Sequence, residues 1–475
     1  MVIDLRPLEQ SPMSSRIPSS FALLISLFWL NAASPIDAAE PPADAIARKT
    51  DERFKAERLE KTTADARAIQ ARRKDRPLPQ GFDDVRAIFH AHAEDSEHTG
   101  GTRPEMIADA KKAGVKALFL SDHLRPPRDF VSPERRGEKD GVLLIPGSEA
   151  KGFLIHPVRS VMDKLDLPRD KFLDLIRADG GLAFLSHIEE RTDHPMDKLD
   201  GLEITNRHYE AKADTKGYVA LLMAMTSADT IADLRRKLEK WPDATFAFQG
   251  DYPKVYMTKW DDGLKTRRLV GVAANDCHHN NVLTVKLAAD GQAVLVGTNV
   301  DKDEDMRRVP LGLAKELKDL AATKKPGEVI ATVDLDPYHR SFANASTHLL
   351  VHGGKVDETV LRDSIRKGRV YVSHDWICPP EGFFVTVTGG VGQVVGMLGD
   401  EIDFATTKPK LLKVRLPASA SLVRLIRNGA EAARQEDTAD ASFVIEQPGV
   451  YRVEVFQKLD GEYRGWIYAS PVYVR

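Results

Sequence analysis

Phe89-His90-Ala91-His92-Ala93-Glu94-Asp95-Ser96-Glu97-His98 is the stretch that decides how this chain is read. The apolar run leading into it, Val85 to Phe89, predicts a short buried strand. On an extended backbone His90 and His92, at i and i+2, point to the same face. Two imidazoles on one face at the end of an apolar strand, followed by acids, suit a divalent metal. An H-x-H triplet alone carries little weight, because most are surface or core histidines. Its weight here comes from the histidines and acids further along the chain.

Working outward, polar residues recur at the ends of apolar runs. His98 lies in the same loop as His92, and Leu118-Phe119-Leu120 runs into Ser121-Asp122-His123. Leu143-Leu144-Ile145 is followed by Glu149, Phe153-Leu154-Ile155 by His156, Leu182 to Leu185 by His187, and Val272 to Ala274 by Asp276-Cys277-His278. Ten of the fourteen histidines lie between His90 and His279. Buried ionisable groups are costly unless paired or metal-bound, so core packing does not explain this recurrence. Imidazole and carboxylate ligands without thiolate suit Zn, Mn or Fe equally. Closely spaced divalent ions sharing Glu149 or Asp276 favour hydrolysis. The chain lacks a G-x-S-x-G element, and Cys277 reads as a small residue between two ligands.

Between the runs lie helical patterns. Thr102-Arg103-Pro104-Glu105 has capping-box spacing with proline in the first turn, opening a helix to about Ala113 that Gly114 closes. Strands are expected at 117–120, 142–145, 153–155, 182–185, 202–204 and 269–273, with helices at 169–178 and 231–240 among them. This β-α rhythm predicts a barrel with its site on the C-terminal rim.

The ordered set resembles the PHP (polymerase and histidinol phosphatase) family of metal-dependent phosphoesterases, over about Val85 to His279. The family's H-x-H matches His90 and His92, its third loop histidine His98, and its D-H motif Asp122-His123. Its G-x-E glutamate matches Glu149, the next histidine His156, the strand-end histidine His187, and the final D-x-H Asp276 and His278. The resemblance implies a distorted (β/α)7 TIM-like barrel holding two or three divalent metal ions (Zn, Mn or Fe) on His90, His92, His98, His123, Glu149, His156, His187, Asp276 and His278. Asp122 is expected to orient a neighbouring imidazole. Expected catalytic contributors are Asp276, His278 and His187, with Arg125, Arg207 and His208 on the same rim; Arg191, His194, His279 and Glu203 also fall at strand ends. A barrel followed by a β-sandwich also resembles the CehA/McbA-type metallohydrolases, which include carbamate-ester hydrolases.

The outer segments complete the plan. Arg6 and Arg16, the apolar run Phe21 to Leu30 and the small residues Asn31 to Ser34 predict a signal peptide over 1–39, since a spanning helix needs roughly 20 apolar residues. The protein is therefore expected in the periplasm or secreted, with no membrane contact after cleavage. Residues 40–80 read as a charged helix and linker, 81–330 as the barrel, 331–380 as a connecting segment, and 381–475 as a small immunoglobulin-like sandwich of short strands. The composition is 42% hydrophobic and 29% charged with a net charge of -3, and no basic run is present, which excludes a nucleic-acid partner on electrostatic grounds. Cys277 and Cys378 are the only cysteines; they can pair in an oxidising compartment or remain two buried thiols. The expected partner is a small-molecule ester, a phosphomonoester or phosphodiester first, a carboxylic or carbamate ester as the alternative. A metal-binding module without activity is the reading from another class.

Overall fold

A computed structural model describes residues 50–96, 98–300 and 302–475. The expected signal peptide lies outside the described residues. Among them no helix is long and apolar enough to cross a membrane. The chain is a mixed α/β protein whose strands form three sheets.

Strands β1 (Phe82–Ile88), β2 (Ala117–Phe119), β3 (Gly137–Lys139) and β4 (Val142–Ile145) lie in the largest sheet; β1, β2 and β4 are mutually parallel neighbours and β3 caps the edge. A second sheet runs β5 (Ser148–Ala150), β6 (Phe153–His156), β7 (Leu182–Leu185), β8 (Gly201–Asn206) and β9 (Val270–Ala274), parallel from β7 to β9. Isolated parallel bridges, Ala91 with Cys277 and His123 with Glu149, join the two sheets at their strand ends. Val85, Phe89, Phe119, Ile145, Phe184 and Val272 from both sheets pack in one buried cluster. Phe89 stacks on Phe119 with centroids 4.1 Å apart. Strands buried on both faces read as continuous apolar runs, which is why Leu182 to Leu185 and Val142 to Ile145 are legible from sequence.

The helix opened by Thr102 spans Arg103–Lys112 with its capping box formed. Gly114 closes it at φ +74°, a conformation open to glycine.

The expected single barrel to residue 330 is interrupted. β10 (Val282–Leu287), β11 (Ala293–Gly297), β12 (Arg307–Pro310) and β13 (Val329–Asp334) make a separate antiparallel sheet with its own core against the helix Ala228–Lys240. The expected connecting segment then supplies two strands of the main sheet: β14 (Ser346–His352) pairs antiparallel with β1, and β15 (Val370–Ser373) with β14.

The C-terminal strands are β16 (Phe384–Thr388), β17 (Val394–Met397), β18 (Glu401–Ile402), β19 (Leu411–Arg427), β20 (Ala430–Val444), β21 (Gly449–Leu459), β22 (Glu462–Ala469) and β23 (Val472–Val474). They do not stand apart as the independent sandwich expected from the sequence. β22 pairs with β15, so one hydrogen-bonded ladder runs from β17 through β15 and β14 to β1. The N-terminal helix Ala56–Ala71 straps this region: Ala66 and Ile69 join its core, and Arg58 and Lys61 pair with Asp460 at 3.3 and 3.2 Å. Cys277 and Cys378 are both buried and free.

Candidate metal centre

The residues just beyond β1, β2, β7 and β9 converge where the two sheets meet. His90 Nε2 lies 3.5 Å from Glu149 Oε2 and 3.4 Å from Asp276 Oδ1. His92 Nε2 is 3.2 Å from the same Asp276 oxygen. His123 Nδ1 and His187 Nε2 each approach Glu149 at 3.2 Å, and His187 Nε2 is 3.6 Å from Asp276 Oδ2. Atoms that could hold a metal fall into overlapping groups, among them His92, His123 and His278; His90, His92 and Glu149; and His90, His187 and Asp276.

Hydrogen bonds around the cluster set which ring nitrogens face inward. Glu203, fully buried on β8, lies 2.7 Å from His90 Nδ1 and also accepts from the His187 amide at 2.9 Å. Nδ1 of His90 is thereby held outward and Nε2 turned to the cluster. Ser96 directs its hydroxyl proton to Asp122 at 3.4 Å and so accepts from His92 Nδ1–H at 3.1 Å and from the His123 amide at 3.0 Å. Asp122 also accepts from the Ala93 amide at 2.8 Å, fixing the loop between His92 and Ser96. The expected orienting role of Asp122 is therefore exercised through Ser96. His278 Nδ1 meets the Asp276 carbonyl at 3.1 Å, and its buried Nε2 has no hydrogen-bond partner.

His90 Nε2 and His92 Nε2 lie 3.0 Å apart, with the orphaned His278 nitrogen in an adjoining group. Inward-facing imidazole nitrogens around two shared carboxylates are a donor set for a hard-to-borderline divalent cation that displaces their protons, so the residues fit the metal that the sequence implies.

The charges are strongly coupled. Although burial favours their neutral forms, Glu149 and Asp276 are held well below the usual carboxylate range, chiefly by the positive charge of His90. His90 is raised against burial by Asp276, Glu203 and Glu149. His187 is raised to about 10, its hydrogen bonds to Glu149 and Glu189 outweighing burial. Burial takes His92 down to about 4, with the His90 charge adding to the effect, and holds His278 well below its ordinary value.

Backbone strain collects at the same place. His98, His187, Asp276 and His279 all have positive φ, between +41° and +51°. Left-handed non-glycine residues cluster at functional sites, where the surrounding structure holds them.

The other expected residues fall into three places. His98 stacks near His278 and His123, with ring centroids at 5.1 and 5.3 Å, and joins none of the converging groups. His208 stands 6.4 Å from the His278 ring, on the rim. His156 is enclosed by Phe89, Phe119 and Phe184, with Nδ1 3.3 Å from the Pro146 carbonyl, and burial pushes it down to about 3. It joins none of the converging groups. Arg207 donates to the Phe246 carbonyl at 3.1 Å and lies over the Phe246 ring, so its guanidinium is spent on the fold. Arg191 likewise holds the carbonyls of Ser186 and His187. Arg125 is exposed on the loop after His123.

Sequence reasoning missed Ser96 and Glu189. Glu189 lies 3.0 Å from His187 Nδ1 and accepts from the Tyr256 hydroxyl. Neither residue type is distinctive alone; proximity to a ligand, two residues after His187 or four after His92, is the only signal available in the sequence.

Glu203→Gln is expected to weaken metal affinity by about 10–100-fold, the usual cost of losing the carboxylate behind a ligating imidazole. Competition with a chromogenic chelator measures it. Unchanged affinity would show that Glu203 does not set the orientation of His90.

No family model and no curated protein matches the chain. Among solved structures, it is similar to a two-domain protein from Bacteroides vulgatus containing a predicted PHP-like metal-dependent phosphoesterase. The two share 13% identity, over 84% of this chain and 99% of that one, with a TM-score of 0.31.

Proposed function

We propose that this protein is a metal-dependent hydrolase that cleaves phosphate esters at the rim built by His90, His92, His123, Glu149, His187, Asp276 and His278. The observation that carries this reading is the convergence of four strand-end segments on two shared carboxylates, with Glu203, Ser96 and Glu189 on the far nitrogens of His90, His92 and His187. Divalent ions, when bound, activate water near neutral pH and neutralise charge developing on a transferring phosphoryl group. Three overlapping ligand groups suit two or three such ions of Zn, Mn or Fe.

The chain's own residues do the rest. Glu203 and Ser96 engage Nδ1 of His90 and His92, so the Nε2 atom of each is turned inward, where a bound cation would replace its proton. Glu149 and Asp276, buried yet kept ionised, supply the negative charge that retains the cations. His208, beside His278, is placed to carry a proton between the rim and the leaving group. The two bridged sheets are read as a distorted (β/α)7 barrel, and the amino terminus as an export signal that leaves the mature protein in the periplasm or secreted.

The purified full chain, loaded in turn with Zn, Mn and Fe, is to be assayed on p-nitrophenyl phosphate, bis-p-nitrophenyl phosphate and p-nitrophenyl acetate. Turnover of a phosphate ester above the acetate is the expected result. Faster acetate turnover with every metal would replace the phosphoesterase reading with a carboxylic-ester hydrolase, and no turnover of any ester would end both.

A further inference from the structure

On the opposite side of the second sheet from the metal centre lies a cavity of about 310 Å³. It opens where the strands begin: Gly181 precedes β7, Asp200 precedes β8 and Leu269 precedes β9. His187, Asn206 and Asp276 stand at or just beyond the other ends of these strands. Strands of four to six residues separate the two places by roughly 13–20 Å. The far wall comes from the helix Glu358–Arg366 and from the turn at Ser470 before β23.

Four guanidinium groups line this cavity, those of Arg177, Arg267, Arg268 and Arg366, against the single carboxylate of Asp200. Two are pinned by the backbone. Arg366 donates to the Gly180 and Gly181 carbonyls, and Arg268 to those of Lys367 and Gly399. The other two have no hydrogen bond or ion pair among the described residues, and Arg267 Nε is buried without a partner. Arg177 and Arg267 are close enough to repel, and burial together with that repulsion lowers the Arg267 pKa. The Ser470 hydroxyl, on a residue only 2% exposed, also lacks a partner. Asp200 spends one oxygen on the Ala183 amide at 2.9 Å.

Arg177, Arg268 and Arg366 are exposed and Arg267 half-buried, so the groups stay charged in the free protein; an anion entering among them also supplies the partner that the buried Arg267 Nε and Ser470 hydroxyl lack. Guanidinium forks match tetrahedral oxyanions through paired hydrogen bonds. The volume sits at the low end for small-molecule sites, about 300–1,000 Å³, so the occupant is small. We propose that this cavity is a second ligand site, separate from the metal centre, that binds a small phosphate-bearing anion on Arg177, Arg267, Arg268, Arg366 and Ser470. Because its walls come from β7–β9 on one side and from the C-terminal strands on the other, the anion bridges the two sheets.

The test is calorimetric titration of the metal-free full chain with inorganic phosphate and with pyrophosphate, at ionic strength matched by NaCl. Saturable one-to-one binding is expected, unchanged in Asp276→Asn and weakened at least tenfold in the Arg177→Gln/Arg267→Gln double variant. The unliganded double variant should melt close to wild type, because it loses the Arg177–Arg267 repulsion together with their attraction to Asp200, and no hydrogen bond. The single Arg177→Gln variant, on the exposed side of the cavity, must weaken binding in the same direction. Absence of saturable binding, retention of it in the arginine variants, or loss of it in Asp276→Asn would each overturn the proposal.

Discussion

Asp276→Asn is expected to lower metal-dependent ester hydrolysis by more than the ~100-fold that loss of an outer-shell partner costs, and to lower the bound metal in parallel. The carboxylate sits 3.2 Å from His92, 3.4 Å from His90 and 3.6 Å from His187, so it belongs to more than one prospective cation position at once. Asparagine keeps the shape and also tolerates the left-handed conformation, φ +46°, that the backbone adopts there. The variant therefore tests charge rather than folding. Metal content by mass spectrometry, the melting temperature and turnover on the best ester are to be measured together. A variant that folds, keeps its full metal content and turns over at the wild-type rate would refute the assignment of the centre.

His348→Ala is expected to destabilise the protein by about 3–5 kcal/mol, the cost of breaking a buried ion-pair network on one side. His348 is completely buried on β14, 2.9 Å from Asp84 and 3.2 Å from Asp375, and it stacks on Tyr371 with centroids 4.7 Å apart. Arg86 reaches Asp375 at 2.8 Å, and the Tyr371 hydroxyl donates to Asp84. Removing the imidazole leaves Asp375 with Arg86 alone as its ion-pair partner and the Asp84 carboxylate with, among the described residues, no partner but the Tyr371 hydroxyl. A pH dependence accompanies this. Burial works against the charged imidazole, but Asp84 and Asp375 prevail and raise His348 from 6.5 to about 10. A raised folded-state value contributes stability that is complete below the unfolded value of 6.5 and is lost as pH rises through about 10. Wild-type stability should therefore fall between those values, and the variant should lack that component. Asp375, lowered despite burial by Arg86 and His348, acts in the other direction, its contribution disappearing as acid protonates it. Urea unfolding at several pH values reads both, and a loss below about 1 kcal/mol with an unchanged alkaline slope would contradict the network's role.

What the sequence makes legible is local. The capping box at Thr102, the helix Arg169–Ala178 and the apolar runs Val142–Ile145 and Leu182–Leu185 are found where composition and periodicity put them, because each element's signal lies within its own span. The order of polar strand ends likewise brings His90, His92, His123, Glu149, His187, Asp276 and His278 together. Long-range partners are not written this way. Ala430–Val444 is a strand of charged and small residues with no apolar alternation, held by its pairing with β19. The insertion of β10–β13 reads like more of the same β-α chain, since strand patterns do not say which sheet they join. His156 comes after a strand as the ligands do, yet its ring is enclosed by three phenylalanines that only the folded chain assembles. Arg207 falls at a strand end that predicts the rim, but the choice between the rim and the Phe246 carbonyl rests on a helix 39 residues away.

The unbroken ladder from β17 to β1 has a dynamic consequence. Enzymes that close around substrate by swinging one lobe against another need a linker or a slippery interface as the hinge. Here the first strand, which delivers His90 and His92, is paired to β14, β14 to β15 and β15 to β22, while Arg452 on β21 grips Asp261 of the helix Lys254–Leu264 through two bonds of 2.6 and 2.7 Å. The C-terminal strands are fastened at several points to the half that carries the candidate metal centre, and lobe rotation would tear backbone hydrogen bonds. On the hydrolase reading proposed above, access to the centre falls to the rim loops rather than to a hinge between lobes.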